Sequence, residues 1–362
     1  MAIRTEGGHT PYIPTLDGWR ALSVLIVLVS HAGFGHLVPG GLGVTIFFFI
    51  SGYLITSLLQ VEFEDRATIH IQHFYLRRFF RLSPTLMATL FLVYGVTALG
   101  LHPGGISWSG AISQVFYFAN YQDAVFPGEH GLTPLGTSVL WSLAIEEHFY
   151  LLYPGLLGLL LRRFSAKQTA AVFAALCMGI LLWRWHLATS GDMPLEHIYY
   201  RTDARIDSML FGCILALAFQ PMAEGGQSGS ADMPGILHWG LMAAGLMLML
   251  VSLLVRDPVF RETLRYSLQG LALMPIFYCG IKWSAGKPFS WLDAAWLSAI
   301  GKRSYAIYLS HFIIMHSLLA HTALKMGTAG MVIAALLLAL LYAELIDRWV
   351  EPYFKRLRAR YR

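Results

Sequence analysis

The stretch LDGWRALSVLIVLVSHAGF, Leu16–Phe34, decides the class of this chain. A run of this length matches the roughly 20 apolar residues needed to cross a hydrocarbon core. Yet it carries Asp17 and Arg20 at one end and His31 near the other. Arg costs roughly 2.5–3.5 kcal/mol inside a membrane helix, so ionisable groups are kept there mainly where they act. Ten residues separate Arg20 from His31. On an α-helix those eleven steps span about 16 Å, half a bilayer core. The spacing points to a site near one surface linked to a reactive group deep in the membrane.

Outward from this run the rest of the chain reads alike. Of 362 residues, 56% are hydrophobic and only 13% charged, with a mean hydropathy of +0.56. A soluble domain is far more polar. The expected fold is an all-α integral membrane protein, a bundle of about ten transmembrane helices. They lie near residues 17–37, 42–60, 84–101, 138–161, 168–189, 205–220, 235–254, 266–283, 304–323 and 328–347. The 84–101 and 205–220 stretches are short, so they tilt less or are partly re-entrant. No internal repeat is visible, which gives an inverted-repeat transporter no support. The amino-terminal run is too long for a removable signal peptide and lacks a small-residue cleavage site. Cys177, Cys213 and Cys279 sit in apolar stretches without CxxC spacing and read as small buried hydrophobes. The sequence pI of 9.1 requires no nucleic-acid partner.

The basic residues set an orientation. Arg66, Arg77, Arg78, Arg81, Arg162, Arg163, Lys167, Lys282, Lys287, Lys302, Arg303, Arg348 and the tail residues Lys355, Arg356, Arg358, Arg360 and Arg362 fall in segments on one side, whereas His102–Ser138 holds no Lys or Arg. Arg256, Arg261 and Arg265 run against this trend. The positive-inside rule predicts a multi-pass inner-membrane protein with both termini in the cytoplasm. The chain reads as one transmembrane domain over 1–362, with a basic cytoplasmic loop at 61–83, an outer Gly/Pro/aromatic segment at 102–137, a linker at 221–234 and a basic cytoplasmic tail at 348–362. It ends soon after the tenth span, so no second catalytic domain is expected.

Several clusters bear chemistry. In RRFFRLSP, 77–84, Arg78 and Arg81 stand at i, i+3 on one helix face. Two forked guanidiniums suit phosphates, and they equally suit the headgroups of anionic membrane lipid. WSLAIEEHFYLLYP, 141–154, opens a span with Trp141, Glu146, Glu147 and His148. A buried carboxylate there either orients an imidazole or makes a packing ion pair. SYAIYLSH, 304–311, brings Tyr305, Tyr308 and His311 into another span. His311, His316 and His321 recur every five residues, which makes no metal-binding face. Ser51 and Gly52, in GGLGVTIFFFISGYLIT, allow close backbone approach. Arg205 and Asp207, in YYRTDARIDSMLFG, are functional candidates or part of an interfacial charge network with Arg201 and Asp203. Trp108, Tyr117, Asn120 and Tyr121 would stack on a sugar or line a membrane-interface belt.

In order, these segments resemble the membrane-bound acyltransferase family 3, which O-acylates carbohydrates, glycolipids and some secondary metabolites. The likeness rests on LDGWRALSVL with Arg20 and His31, FFFISGYLIT, the Arg78/Arg81 pair, WSLxxExxFYLxxP with Glu146, RIDSMLFG, and SYxIYLxH ending at His311. One departure is Thr45, where many sugar-modifying members carry an acidic residue. Another is the missing periplasmic hydrolase-like domain of some members.

The resemblance implies O-acyl transfer from acyl-CoA, acetyl-CoA first, to a hydroxyl of a cell-envelope carbohydrate, glycolipid or glycosylated metabolite. Arg78 and Arg81 would hold the CoA phosphates, and no metal is implied. His31 would be the base that removes the hydroxyl proton, or a nucleophile that carries the acyl group. Glu146 would orient and stabilise the imidazolium. Arg20, Tyr305, Tyr308 and His311 would polarise the carbonyl or hold the acceptor, with Asp17, Ser51, Trp141, Arg205 and Asp207 in support. The competing class is a proton- or solute-coupled transporter, whose ingredients, His, Glu and Arg along an intramembrane path, are also present.

Overall fold

In a hydrocarbon core every backbone N–H and C=O must be satisfied within the chain, and helices do this segment by segment. The computed structural model describes residues 14–126, 132–219, 235–284, 286, 288–321 and 327–361. Among the described residues it is helical, without a strand; one backbone bridge joins Gly104 to Pro134. The expected linker at 221–234 lies outside them.

Helix α1 is Pro14–Val29 and ends in a single wider π turn, Ser30–Phe34. Then come α2 (Gly40–Arg66), α3 (Ile71–Ala98), the short α4 (Trp108–Val115), α5 (Leu140–Leu161), α6 (Ala166–Ser190) and α7 (Asp207–Phe219). They are followed by α8 (Ile236–Leu254), α9 (Leu264–Lys282), α10 (Ser304–His321), α11 (Thr328–Trp349) and α12 (Glu351–Ala359). Each of the ten stretches read as a span overlaps one of these helices. Five of them, α2, α3, α6, α8 and α11, are long and apolar enough to cross a membrane on length and composition alone. The chain is an all-α membrane protein.

Local signals explain several ends. Ser165 caps α6 in a reciprocal capping box with Gln168, and Gly191 closes the helix in the left-handed conformation. Ser107 accepts from the Gly110 N–H to start α4. The expected loop at 61–83 is largely helical. Helix α2 runs on to Arg66 and α3 begins at Ile71. Their outer turns are charged, which lowers hydropathy without lowering helix propensity. The basic tail is likewise helical over Glu351–Ala359.

The chain divides into two compact units. The first comprises the residues up to Ser23, Gly41–Ile69 and Leu152–Lys302; the second comprises Val24–Gly40, His70–Leu151 and Arg303 onward. In the first, α2 crosses α7 at two glycines. A Cβ on Gly52 would strike the Met209 carbonyl, and one on Gly212 would strike that of Phe49. Small residues at such a crossing let the backbones touch. In the second, Leu86 and Leu90 of α3, Leu140 and Leu143 of α5 and Leu309 of α10 form a buried cluster, with Tyr117 and Tyr305 packed against it. This apolar knot fixes the register of the three helices that carry the polar residues described next.

Candidate active site

The second unit gathers most of the expected residues along one polar seam. At one end is His31, held in the π turn that follows α1. The wide turn depends on Gly33, whose φ of 111° is foreign to L side chains. A Cβ there would also come within 3.0 Å of Thr328 Cγ2 at the start of α11.

His31 is exposed on one side, and on the other its Nδ1 lies 2.9 Å from Nε2 of His311. The two rings are parallel within 2°. The Phe312 ring stacks on His31 at 4.3 Å between centroids. His311 is completely buried, and its Nδ1 is 2.7 Å from the Tyr308 carbonyl one turn back. Thus the partner of His31 is another imidazole. The expected pairing with Glu146 is not the one present, because Glu146 leaves α5 a turn beyond Ser142. Ser142 itself is level with Tyr308, their hydroxyls 2.7 Å apart.

The seam continues down α10 in steps of one turn. Tyr308 also donates to the Val139 carbonyl at 3.2 Å. Tyr305 donates to the Leu82 carbonyl of α3 at 3.1 Å. Beside it, the Ser83 and Tyr117 hydroxyls are 3.5 Å apart. From Tyr305 to His311 the axial rise is about 9 Å. Antiparallel to this, α5 presents Ser142, Glu146 and Tyr150. The Tyr150 hydroxyl points to a Glu146 oxygen at 3.4 Å. The Arg78 guanidinium lies 4.8 Å above the Tyr150 ring and 5.7 Å from that of Phe74. Arg78 is close enough to Glu147 for their charges to interact. Arg81, one turn on, is exposed. Arg78 therefore marks the far end of the seam, and Trp141 is buried beside its middle. His148, the third of the consecutive titratable residues, stacks on Tyr121 at 6.2 Å.

The remaining candidates belong to the first unit. Arg20 is bonded to Asp17 one turn back at 3.3 Å, and Ser51 is half-buried on α2. The charges of YYRTDARID divide in two. Arg201 and Asp203 pair at 2.9 Å with both side chains partly exposed. Arg205 and Asp207, by contrast, are fully buried. The Arg205 guanidinium lies 3.8 Å over the Tyr266 ring and 4.9 Å from that of Tyr199, and its Nη2 donates to Thr45 Oγ1 at 3.2 Å. The Tyr199 phenol, outside the spans, is pushed up by burial and pulled back by the Arg205 charge. Position 45, where the resemblance broke, is thus a contact of Arg205.

Two residues were missed. Arg184 is fully buried on α6, 2.8 Å from Asp207, and donates to the Ala204 carbonyl and Ser267 Oγ at 2.6 Å each. The signal was present as WRWH within an apolar run. His102 is buried and bridges Ser317 Oγ of α10, at 2.7 Å, to the Leu135 carbonyl, at 2.9 Å. It ties both ends of the 102–137 segment to that helix, and no spacing rule pointed to it. Among the described residues no group of three or more His, Cys, Asp or Glu side chains is placed to hold a metal ion.

Comparison with known proteins gives the family. Residues 13–344 match the family model described as "Acyltransferase domain". The O-acetyltransferase OatA of Staphylococcus aureus, in strains NCTC 8325 / PS 47 and COL, is 31% identical over 370 residues, covering 98% of this chain. A second S. aureus (strain COL) protein, named as a candidate O-acetyltransferase, is 31% identical over 359 residues and 95% of this chain. The chain spans 58–59% of the length of these relatives. With the family model matched over nearly its whole length, the chain belongs to the acyltransferase 3 family.

Proposed function

We propose that this protein is a membrane O-acyltransferase of the inner membrane with both termini cytoplasmic. It moves an acyl group, acetyl in the first place, from acyl-CoA to a hydroxyl of a cell-envelope carbohydrate, a glycolipid or a glycosylated metabolite. The observation that carries this reading is the seam in one unit, with a half-buried cation, Arg78, at one end and an accessible imidazole, His31, at the other.

The chemistry follows from the two ends. CoA is polyanionic, and guanidiniums recognise phosphate with forked donors. Arg78 and Arg81 hold the donor, and the seam between α5 and α10 offers hydroxyls and a carboxylate beside the path of its arm. His31 removes the acceptor's proton as the oxygen attacks the thioester carbonyl, a contribution of typically about 10²–10⁴-fold. Glu146, bonded to Tyr150 and neighbour to Glu147, acts near the donor end of the seam. Tyr305 and Tyr308 line the seam with Trp141 buried beside them, and Asp17, Ser51, Arg205 and Asp207 stabilise the first unit.

The test uses purified protein in lipid vesicles with acetyl-labelled acetyl-CoA and candidate hydroxyl acceptors, read by mass. Label on the acceptor, lost in a folded His31→Ala variant, is the expected result. Uptake of a solute with no consumption of acetyl-CoA would instead make the protein a transporter.

A further inference from the structure

We infer that His311 is a positioning residue that locks His31 in a single tautomer and aims its basic nitrogen away from the buried pair. The inference deepens the reading of His31 as the base and rests on it. It starts from an atom that has no choice. The Tyr308 carbonyl, 2.7 Å from His311 Nδ1, can only accept a hydrogen bond. His311 Nδ1 therefore carries a proton.

In a neutral imidazole the other nitrogen then holds a lone pair. His311 Nε2 is thus an acceptor, and the atom facing it at 2.9 Å, His31 Nδ1, is the donor. With Nδ1 protonated, the lone pair of His31 lies on Nε2. One backbone carbonyl, acting through two rings, decides which nitrogen of the exposed imidazole is basic. The sequence YLSH places His311 three residues after Tyr308, so its ring meets that carbonyl within the same helix. The near-coplanar arrangement of the rings, 2° between planes, keeps the chain of bonds aligned. The stacked Phe312 ring at 4.3 Å holds His31 from its face.

His311 is wholly buried and touches no reacting atom, which makes it a positioning residue. In the reaction, the acceptor oxygen forms the new C–O bond and its proton passes to His31 Nε2. The C–S bond breaks, its electron pair leaves with sulfur, and the proton on Nε2 is delivered to that thiolate. Throughout, His31 Nδ1–H stays bonded to His311 Nε2, which stabilises the transient imidazolium. A base held in the wrong tautomer loses factors of up to about 10⁴ in the best-known triad.

The experiment combines spectroscopy with two variants. Nitrogen-15 NMR of histidine-labelled protein in lipid, assigned by comparison with His31→Ala, should show His31 with its proton on Nδ1. His311→Leu removes the acceptor and should give a mixture of tautomers and a loss of turnover of about 10²-fold or more at unchanged acetyl-CoA affinity. His311→Gln restores an acceptor toward His31 and a donor toward Tyr308. It should recover the single tautomer and at least ten-fold of the lost rate. A wild-type His31 protonated on Nε2 would overturn the inference, and so would a His311→Leu variant with an unchanged tautomer and full rate. Should His31→Ala remain fully active while the tautomer is as stated, the base assignment fails and the lock stands. If His311→Leu does not fold, the wild-type spectrum and the glutamine variant decide.

Discussion

Arg184 and Asp207 form an ion pair of 2.8 Å with neither side chain exposed to solvent. Arg184 also spends its donors on the Ala204 carbonyl and Ser267, so the pair ties α6 to the start of α7 and to α9 within one unit. Removing one partner of such a pair leaves a buried charge unbalanced, at a cost of about 3–5 kcal/mol. Arg184→Leu and Asp207→Leu should each lower the thermal midpoint in detergent sharply. The double substitution should recover much of the loss, because neither member of the pair is then left as an unbalanced buried charge. A double variant as unstable as the sum of the singles would mean that the two residues act separately.

Gly33 permits the turn that carries His31. Its φ of 111° and the 3.0 Å approach of Thr328 Cγ2 leave little room for a side chain. Gly33→Ala should therefore strain the backbone by about 1–3 kcal/mol and displace the imidazole. A shift of about 1 Å costs on the order of 10²-fold in turnover. The expected pattern is a fall in kcat with acetyl-CoA affinity retained. Thr328→Ala, which frees the space but not the backbone, should restore only part of the rate. Full activity in Gly33→Ala would show that the turn does not need this conformation.

The helices were legible and their partners were not. Each expected span rested on hydropathy, and a helix stands wherever one was read. Hydropathy fails where a helix leaves the apolar zone, which is why 61–66 and 71–83 looked like a loop although α2 and α3 run through them. His31 and His311 were each legible as ionisable groups in apolar runs. Their hydrogen bond, across 280 residues, depends on how α10 meets the end of α1, and no spacing encodes that. The i, i+3 relation of Tyr308 and His311 was visible, but the link is the Tyr308 backbone carbonyl and not its ring. Arg184 was legible by the argument that singled out Arg20, a cation within an apolar run, and its carboxylate partner was already among the candidates.

Arg78 and Arg81 share α3 but differ in surroundings, and this separates their roles. Arg78 lies over the Tyr150 ring and near Glu147, whereas Arg81 is exposed. A charged hydrogen bond contributes about 1.5–3 kcal/mol, so losing one phosphate contact weakens binding by about ten-fold or more. Arg78→Ala and Arg81→Ala should each raise the Kd for acetyl-CoA by that factor, measured by calorimetry on detergent-solubilised protein. Lysine at position 78 should restore little, since the planar guanidinium both stacks on Tyr150 and forks toward phosphate. At the exposed position, Arg81→Lys should keep most of the affinity, because a point charge there still attracts the anion. Raising the salt concentration should cost the Arg81 contact more than the half-buried Arg78 contact, because exposed charges are screened more strongly. Unchanged affinity in both alanine variants would move the pair from the donor site to the headgroups of anionic lipid.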